Sequence, residues 1–224
     1  MGKCLRCGKS GLLFHVNKNG LCPNCAKEIV FRNDIEAEMY RKDAKYRQLV
    51  HQNADADRLI NLLNQAQEQY KKDNNLERLI EAYEAVLIKV TKPVHSPSVA
   101  MRLVDLYLKA GQNDKAWGYL NSLLSRTDYV VPRDKIRFAQ VKILKKEDKL
   151  AEAVEMLILG YYAKSRDQEI DRATFEKELK PMAKKLGWNE DMISKASSLL
   201  QTFATDKKGD EASIIKAYRK LIQI

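Results

Sequence analysis

Histidine, glycine and proline are scarce in this 224-residue chain, and cysteine is absent after position 25. Nine glycines and five prolines are few for the tight turns of an all-β fold and suit long helices. The three histidines, His15, His51 and His95, stand in separate segments. No Gly-rich phosphate loop, nucleophile elbow or carboxylate-rich metal motif accompanies them, so the expectation is a protein that is not an enzyme. No apolar run approaches the roughly 20 residues of a membrane-spanning helix. The opening stretch MGKCLRCGKS has no apolar signal core, and Arg6 stands where an acylation motif after Gly2 wants Ser or Thr. These absences lead to the expectation of a cytoplasmic protein with no membrane partner.

What the chain has in excess is positive charge. Forty Lys and Arg face 30 Asp and Glu, a net charge of +10. That balance favours acidic partners: nucleic acid, an anionic surface or acidic peptides. With 45% apolar and 31% charged residues, the chain reads as one or two ordinary globular domains able to bury a sizeable core.

All four cysteines fall in two CxxC pairs, Cys4/Cys7 and Cys22/Cys25. Two intervening residues let both sulfurs of a turn reach one ion, and four thiolates satisfy the tetrahedral preference of Zn2+ while leaving no open position for a catalytic water. Gly8 follows the first pair, residues Leu12–Val16 are a short strand candidate, and Asn19-Gly20 is a hairpin signal. His15 is read as an ordinary strand residue, with replacement of a cysteine ligand as its alternative; a redox dithiol is the alternative for the pairs themselves. Knuckle, strand, turn and second knuckle, in that order over residues 1–27, resemble the zinc-ribbon family. Lys3, Arg6, Lys9, Lys18 and Lys27 precede the first carboxylate, Glu28. Lys3, Arg6, Lys9 and Lys18 are therefore candidate nucleic-acid contacts, against a ribbon whose metal only staples a segment too small to fold alone.

Pro23 suits a first helical turn, and no Gly or Pro follows until Pro93. A stripe of Ile29, Ile35, Met39, Tyr46 and Leu49 predicts one long helix leaving the ribbon, with residues 28–54 as a connecting helix. The polar run His51–Asp57 predicts a break, capped by Asn53 or Asp55.

Between residues 55 and 165 a 37-residue period appears. Leu79, Ala116 and Ala153 share one slot, Tyr70, Tyr107 and Leu144 a second, and Tyr83, Leu120 and Leu157 a third. In the middle copy Gly111 ends one helix and Asn113 or Asp114 caps the next. The three predicted hairpins resemble the tetratricopeptide repeat family, with Leu103, Tyr107, Gly111 and Ala116 on signature positions. The sequence departs from that pattern in its period, in Gln67, Val104 and Val141 where a small residue is usual, and in a missing proline after the second helix of two copies. The resemblance implies a mainly α fold: a right-handed stack of antiparallel helix pairs, a solenoid, behind the small ribbon. It implies a groove lined by first helices, with Asn61, Asn64, Glu68, Lys71 and Lys72, then Ser98, Met101, Asp105, Leu108 and Lys109, then Lys135, Phe138, Lys142, Lys145 and Lys146. The basic third set fits an acidic peptide or a chain carboxylate held with Asn64; the alternative is a solvated lysine face.

Residues 166–224 read as a degenerate fourth hairpin followed by a capping helix. Pro181 should kink or bound the first of these helices, Gly187 ends it, Asn189 caps the second, and Asp206–Gly209 turns into a last helix. The expected function is a non-enzymatic adaptor that binds a protein or acidic peptide. The alternative is a nucleic-acid-binding regulator acting through the ribbon.

Overall fold

Short polar caps cut the N-terminal third into pieces that hydrophobic periodicity alone would join. The computed structural model describes residues 2–11, 14–87, 96–126, 131–206 and 210–222. Among these described residues there are eleven helices and no strand. The chain divides into two compact units, Met1–His95 and Ser96–Ile224. That boundary falls inside the expected 55–165 block: its first hairpin belongs to the first unit, its second and third to the second.

In the first unit, the single helix expected from Pro23 onward is three. Helix α1 (Pro23–Glu28) stops at extended Ile29. Helix α2 (Asp34–Lys42) starts anew because the Asn33 side chain accepts from the Glu36 amide at 2.9 Å, with Asp34 and Glu36 in its first turn. Asp43, again extended, accepts from Lys45 and Tyr46 and opens α3 (Ala44–Asp73). The expected break at His51–Asp57 is also corrected, since α3 runs through it for 30 residues. Ala54 and Ala56 are strong helix formers, and Ala56 is buried while Asn53, Asp55 and Asp57 face water. The break comes instead at Asn74, whose left-handed backbone (φ 51°) and N–H bond to Tyr70 end α3. Asn75 then caps α4 (Leu76–Leu87) through the Arg78 amide at 3.0 Å. Helix α3 packs on both α2 and α4. Gln67, at a slot where a small residue was expected, bonds the Tyr83 hydroxyl across the α3–α4 pair.

In the second unit, seven helices follow: α5 (Ser96–Lys109), α6 (Asn113–Ser125), α7 (Arg133–Lys146), α8 (Leu150–Lys164), α9 (Arg172–Lys185), α10 (Glu190–Asp206) and α11 (Glu211–Ile222). Gly111 takes φ +71° in the α5–α6 turn, a conformation glycine adopts without strain. The cap of α6 is Gln112, not Asn113 or Asp114; Asn113 is the first helical residue and reaches Glu147 of the next turn at 3.5 Å. Neighbours in sequence pair as α5–α6, α7–α8 and α9–α10, α7 also touches α5 and α6, and α8 also touches α9 and α10. Small residues allow the close approach: Ala116 and Ala153, which share a slot of the period, are fully buried, as are Leu120 and Leu157. Tyr161, Phe175, Leu179, Ala196 and Leu200 extend this core toward α10. Pro181 neither ends nor bounds α9, which runs through it to Lys185. Pro181 is exposed and lines an open cleft, so the backbone carbonyl one turn earlier, at Lys177, can be satisfied by water there. Asn189 caps α10 through the Met192 amide at 2.9 Å and Asp210 caps α11 through Ser213 at 2.6 Å. Helix α11 lies on α8 and α10.

Candidate metal centre and basic cleft

The two CxxC turns converge. The sulfurs of Cys4, Cys7, Cys22 and Cys25 all lie within 4.8 Å of one another. Cys7 and Cys22 are separated by 4.0 Å, far from the ~2.05 Å of a disulfide and close to the ~3.8 Å edge of a tetrahedron with 2.3 Å metal–sulfur bonds. All four cysteines are free thiols. Pro23 starts α1 directly after Cys22, so that Cys22 and Cys25 stand one turn apart on the same side. The turn between the two pairs closes through Asn17 N–H to Leu21 C=O at 2.8 Å and Gly20 N–H to Asn17 C=O at 2.9 Å. The expected strand does not form over residues 14–16; Leu12 and Leu13 lie outside the described residues, as do the His95 loop and the turn at 207–209. The segment's described residues are shaped by the two knuckles and one tight turn.

Burial alone would raise the Cys4 thiol, but the backbone amides of Cys22, Cys7 and Arg6 face its sulfur and bring it down to about 6. The Cys22 amide sits 3.4 Å from that sulfur. Burial, with the neighbouring thiols, pushes Cys25 up to about 12. A divalent ion would replace those thiol protons and satisfy the whole set, so the donor chemistry fits a soft or borderline metal.

The thiols are themselves part of a core. Cys4, Cys22 and Cys25 are buried with Leu21, Ile29 and Tyr40, and Phe31, Tyr46 and Val50 pack around them. Fully buried Tyr40 bonds His51 Nε2 at 2.7 Å. Arg6 ties the first knuckle to α1 and α3, with Nη2 at 2.8 Å from Glu28 and 2.7 Å from Asp55. Of the nucleic-acid candidates, Arg6 is therefore engaged and largely covered. Lys3, Lys9 and Lys18 are exposed, and Lys18 stands 3.8 Å from Asp34. His15 is exposed and is not among the clustered ligands.

The groove candidates are divided between the two units. Asn64, Lys71 and Lys72 are exposed on α3, where Lys71 pairs with Glu68 at 2.6 Å. Met101 is half-buried on α5, with Asp105 and Lys109 exposed. Lys135 is exposed on α7, and Lys146 donates to the Leu108 carbonyl at 3.2 Å. Phe138, Lys142 and Lys145 line one cleft of about 710 Å³ between α7, α8 and α9. Its floor is Val141, Leu157, Tyr161 and Met182, and Lys164 and Lys177 add two more cations to its rim. Phe138 meets Tyr161 edge-on at 5.3 Å, and the Lys164 ammonium stands 5.9 Å from the Tyr161 ring centre. Burial, then the nearby Glu178 carboxylate, raises the Tyr161 hydroxyl.

Sequence reasoning missed the α8 and α9 contributions. Thr174, Lys177, Glu178 and Pro181 recur at helical spacing, which marks one face of α9, but that face was not connected to α7.

No protein-family model matches this chain, and comparison with curated proteins and with solved structures finds no match.

Proposed function

We propose that the chain is a non-enzymatic adaptor: a zinc-stapled head joined to a tetratricopeptide-like stack of helix pairs that binds an acidic peptide segment of a protein partner. Zinc is the ion that best suits four cysteine thiolates in a closed set with no place for water. Its role is to supply cohesion to a segment of few hydrophobic residues, since metal binding there is folding free energy. The neighbour pattern of α5 to α10, each pair touching the next, supports a stack of helix pairs.

The observation that carries the binding function is the α7–α9 cleft, where Lys142, Lys145, Lys164 and Lys177 surround an apolar floor. Among the described residues, none of these four lysines is ion-paired. Four such lysines against the one carboxylate of the lining, Glu178, leave an excess of positive charge around apolar surface, which suits carboxylates flanking a hydrophobic side chain better than a bare polyanion that would leave the floor wet. The nucleic-acid reading keeps Lys3, Lys9 and Lys18 but loses Arg6 to its ion pairs.

Fluorescence anisotropy with a labelled Glu- and Leu-containing peptide tests the reading. Wild type should bind with an affinity that falls as salt rises. The Lys142→Glu/Lys145→Glu variant should lose about tenfold or more, and neutralising Lys3, Lys9 and Lys18 should change nothing. Equal binding by the cleft variant, or a nucleic-acid shift that disappears with the three head lysines, would reject it.

A further inference from the structure

Helix α11 is fastened to the second unit by charges of opposite sign at its two ends. At its start, Glu211 accepts from Arg133 at 3.1 Å and from Arg137, two guanidiniums one turn apart on α7. At its far end, Arg219 grips Glu155 of α8 through two bonds, Nε to Oε1 at 2.6 Å and Nη2 to Oε2 at 2.9 Å. An acid in the first turn and a base in the last also suit the helix dipole. Between them Ile214 and Tyr218 are fully buried against α8 and α10.

The aim of the receiving side is set from within α7. With α11 in place the Arg137 side chain is 12% exposed, and it is oriented by Gln140, whose Oε1 accepts from its Nη1 at 2.8 Å. Gln140 is itself buried and donates to Asn121 at 2.9 Å. With Glu211 gone, two guanidiniums, one of them still aimed by Gln140, would face an empty seat and suit another carboxylate. The fit is incomplete on both sides, since Arg137 Nε in the seat is buried with no hydrogen-bond partner. The Tyr218 hydroxyl is buried with no hydrogen-bond partner, so docking α11 strips water from a polar group and returns nothing to it.

We propose that this seat is a binding site for an amphipathic helix, occupied in cis by α11. The partner is a helix with the same order of chemistry: a carboxylate in its first turn, apolar residues three and seven positions later, and a base after the second. Helix α11 then acts as a removable cover whose opening sets the apparent affinity of the partner, because binding in trans is weakened by the fraction of molecules in which the seat is closed. This surface is separate from the acidic-peptide reading, and either can fail alone.

The test uses the full chain and a labelled synthetic peptide of residues 210–224. Reversing both clasps in the chain, Glu211→Arg with Arg219→Glu, sets like charges together and opens the cover. The peptide should then bind about tenfold more tightly than to wild type. A peptide carrying the same two reversals should not bind. The full-chain Tyr218→Phe variant removes the orphan hydroxyl and should bind the peptide more weakly than wild type does. Amide exchange decides the matter if a variant folds poorly: in wild type, residues 211–222 should exchange faster than α8 and α10, and Tyr218→Phe should slow them. Equal peptide affinity for wild type and the reversed chain, indifference to the peptide's charge order, or exchange of α11 in step with α8 and α10 would each overturn the proposal.

Discussion

Replacing Gly160 by alanine sets two known effects against each other. Gly160 is buried in the middle of α8, facing α7. Alanine there gains about 1 kcal/mol of helix propensity. Its Cβ would lie 2.7 and 2.9 Å from two ring carbons of Phe138 and 3.3 Å from the Cβ of Arg137. A Phe138 ring that moves aside gives up its edge contact with Tyr161, and the Arg137 Cβ is fixed by its own helix. Overpacking of this kind costs about 1–3 kcal/mol, so the net loss should be about 1 kcal/mol. Gly118 in α6 is the control, being exposed with nothing within 4 Å of an added Cβ. There the propensity gain is unopposed, worth up to about 1 kcal/mol. Thermal unfolding followed by circular dichroism should place Gly160→Ala about 2–4 °C below wild type and Gly118→Ala above it. Because Phe138 lines the cleft, Gly160→Ala should also weaken acidic-peptide binding. If both variants were stabilised alike, α7 and α8 would not approach closely enough to bring an added Cβ within 2.7 Å of the Phe138 ring.

Three further expectations concern the head. Gly20 has φ +73° and an added Cβ would meet Leu5 at 2.6 Å, so Gly20→Ala should destabilise the turn by about 1–3 kcal/mol and speed metal loss to a chelator, measured by dye release. Removing the Tyr40 hydroxyl with Tyr40→Phe deletes its bond to His51 and should cost about 1–2 kcal/mol in denaturant unfolding, with metal content unchanged. Burial, then Arg6, holds His51 below its ordinary 6.5. The unfolded chain therefore binds that proton more readily, and stability falls as pH drops from about 6.5 toward the lowered value. His51→Gln should flatten the melting temperature between about pH 7 and pH 5 relative to wild type; an unchanged slope would show that His51 does not titrate as described.

The legible parts of the molecule were those with a local cause. Two CxxC pairs demanded a convergent thiol cluster, and the 37-residue slot of Leu79, Ala116 and Ala153 marked three buried contact points between paired helices. Gly111 and Gly187 announced the turns they make at positive φ. What was hidden depended on balance or on distance. Asn33 and Asp43 cap new helices inside a charged run whose apolar stripe favours one continuous helix. The polar stretch at His51–Asp57 stays helical because its alanines face inward and Asp55 is held by Arg6. Arg6 looked like a phosphate ligand because its partners, Glu28 and Asp55, are 22 and 49 residues away. Half of the basic cleft escaped for the same reason: Lys164 and Lys177 reach it from α8 and α9, and only tertiary packing sets them beside Lys142.

The metal is the claim on which the head depends, and native mass spectrometry of the full chain tests it directly. One zinc ion per chain should be found, lost with acid or chelator, with four titratable thiols appearing only after its removal. A metal-free chain lighter by the hydrogens of two disulfides, or one that holds its fold and its thiols equally well without an ion, would contradict the account.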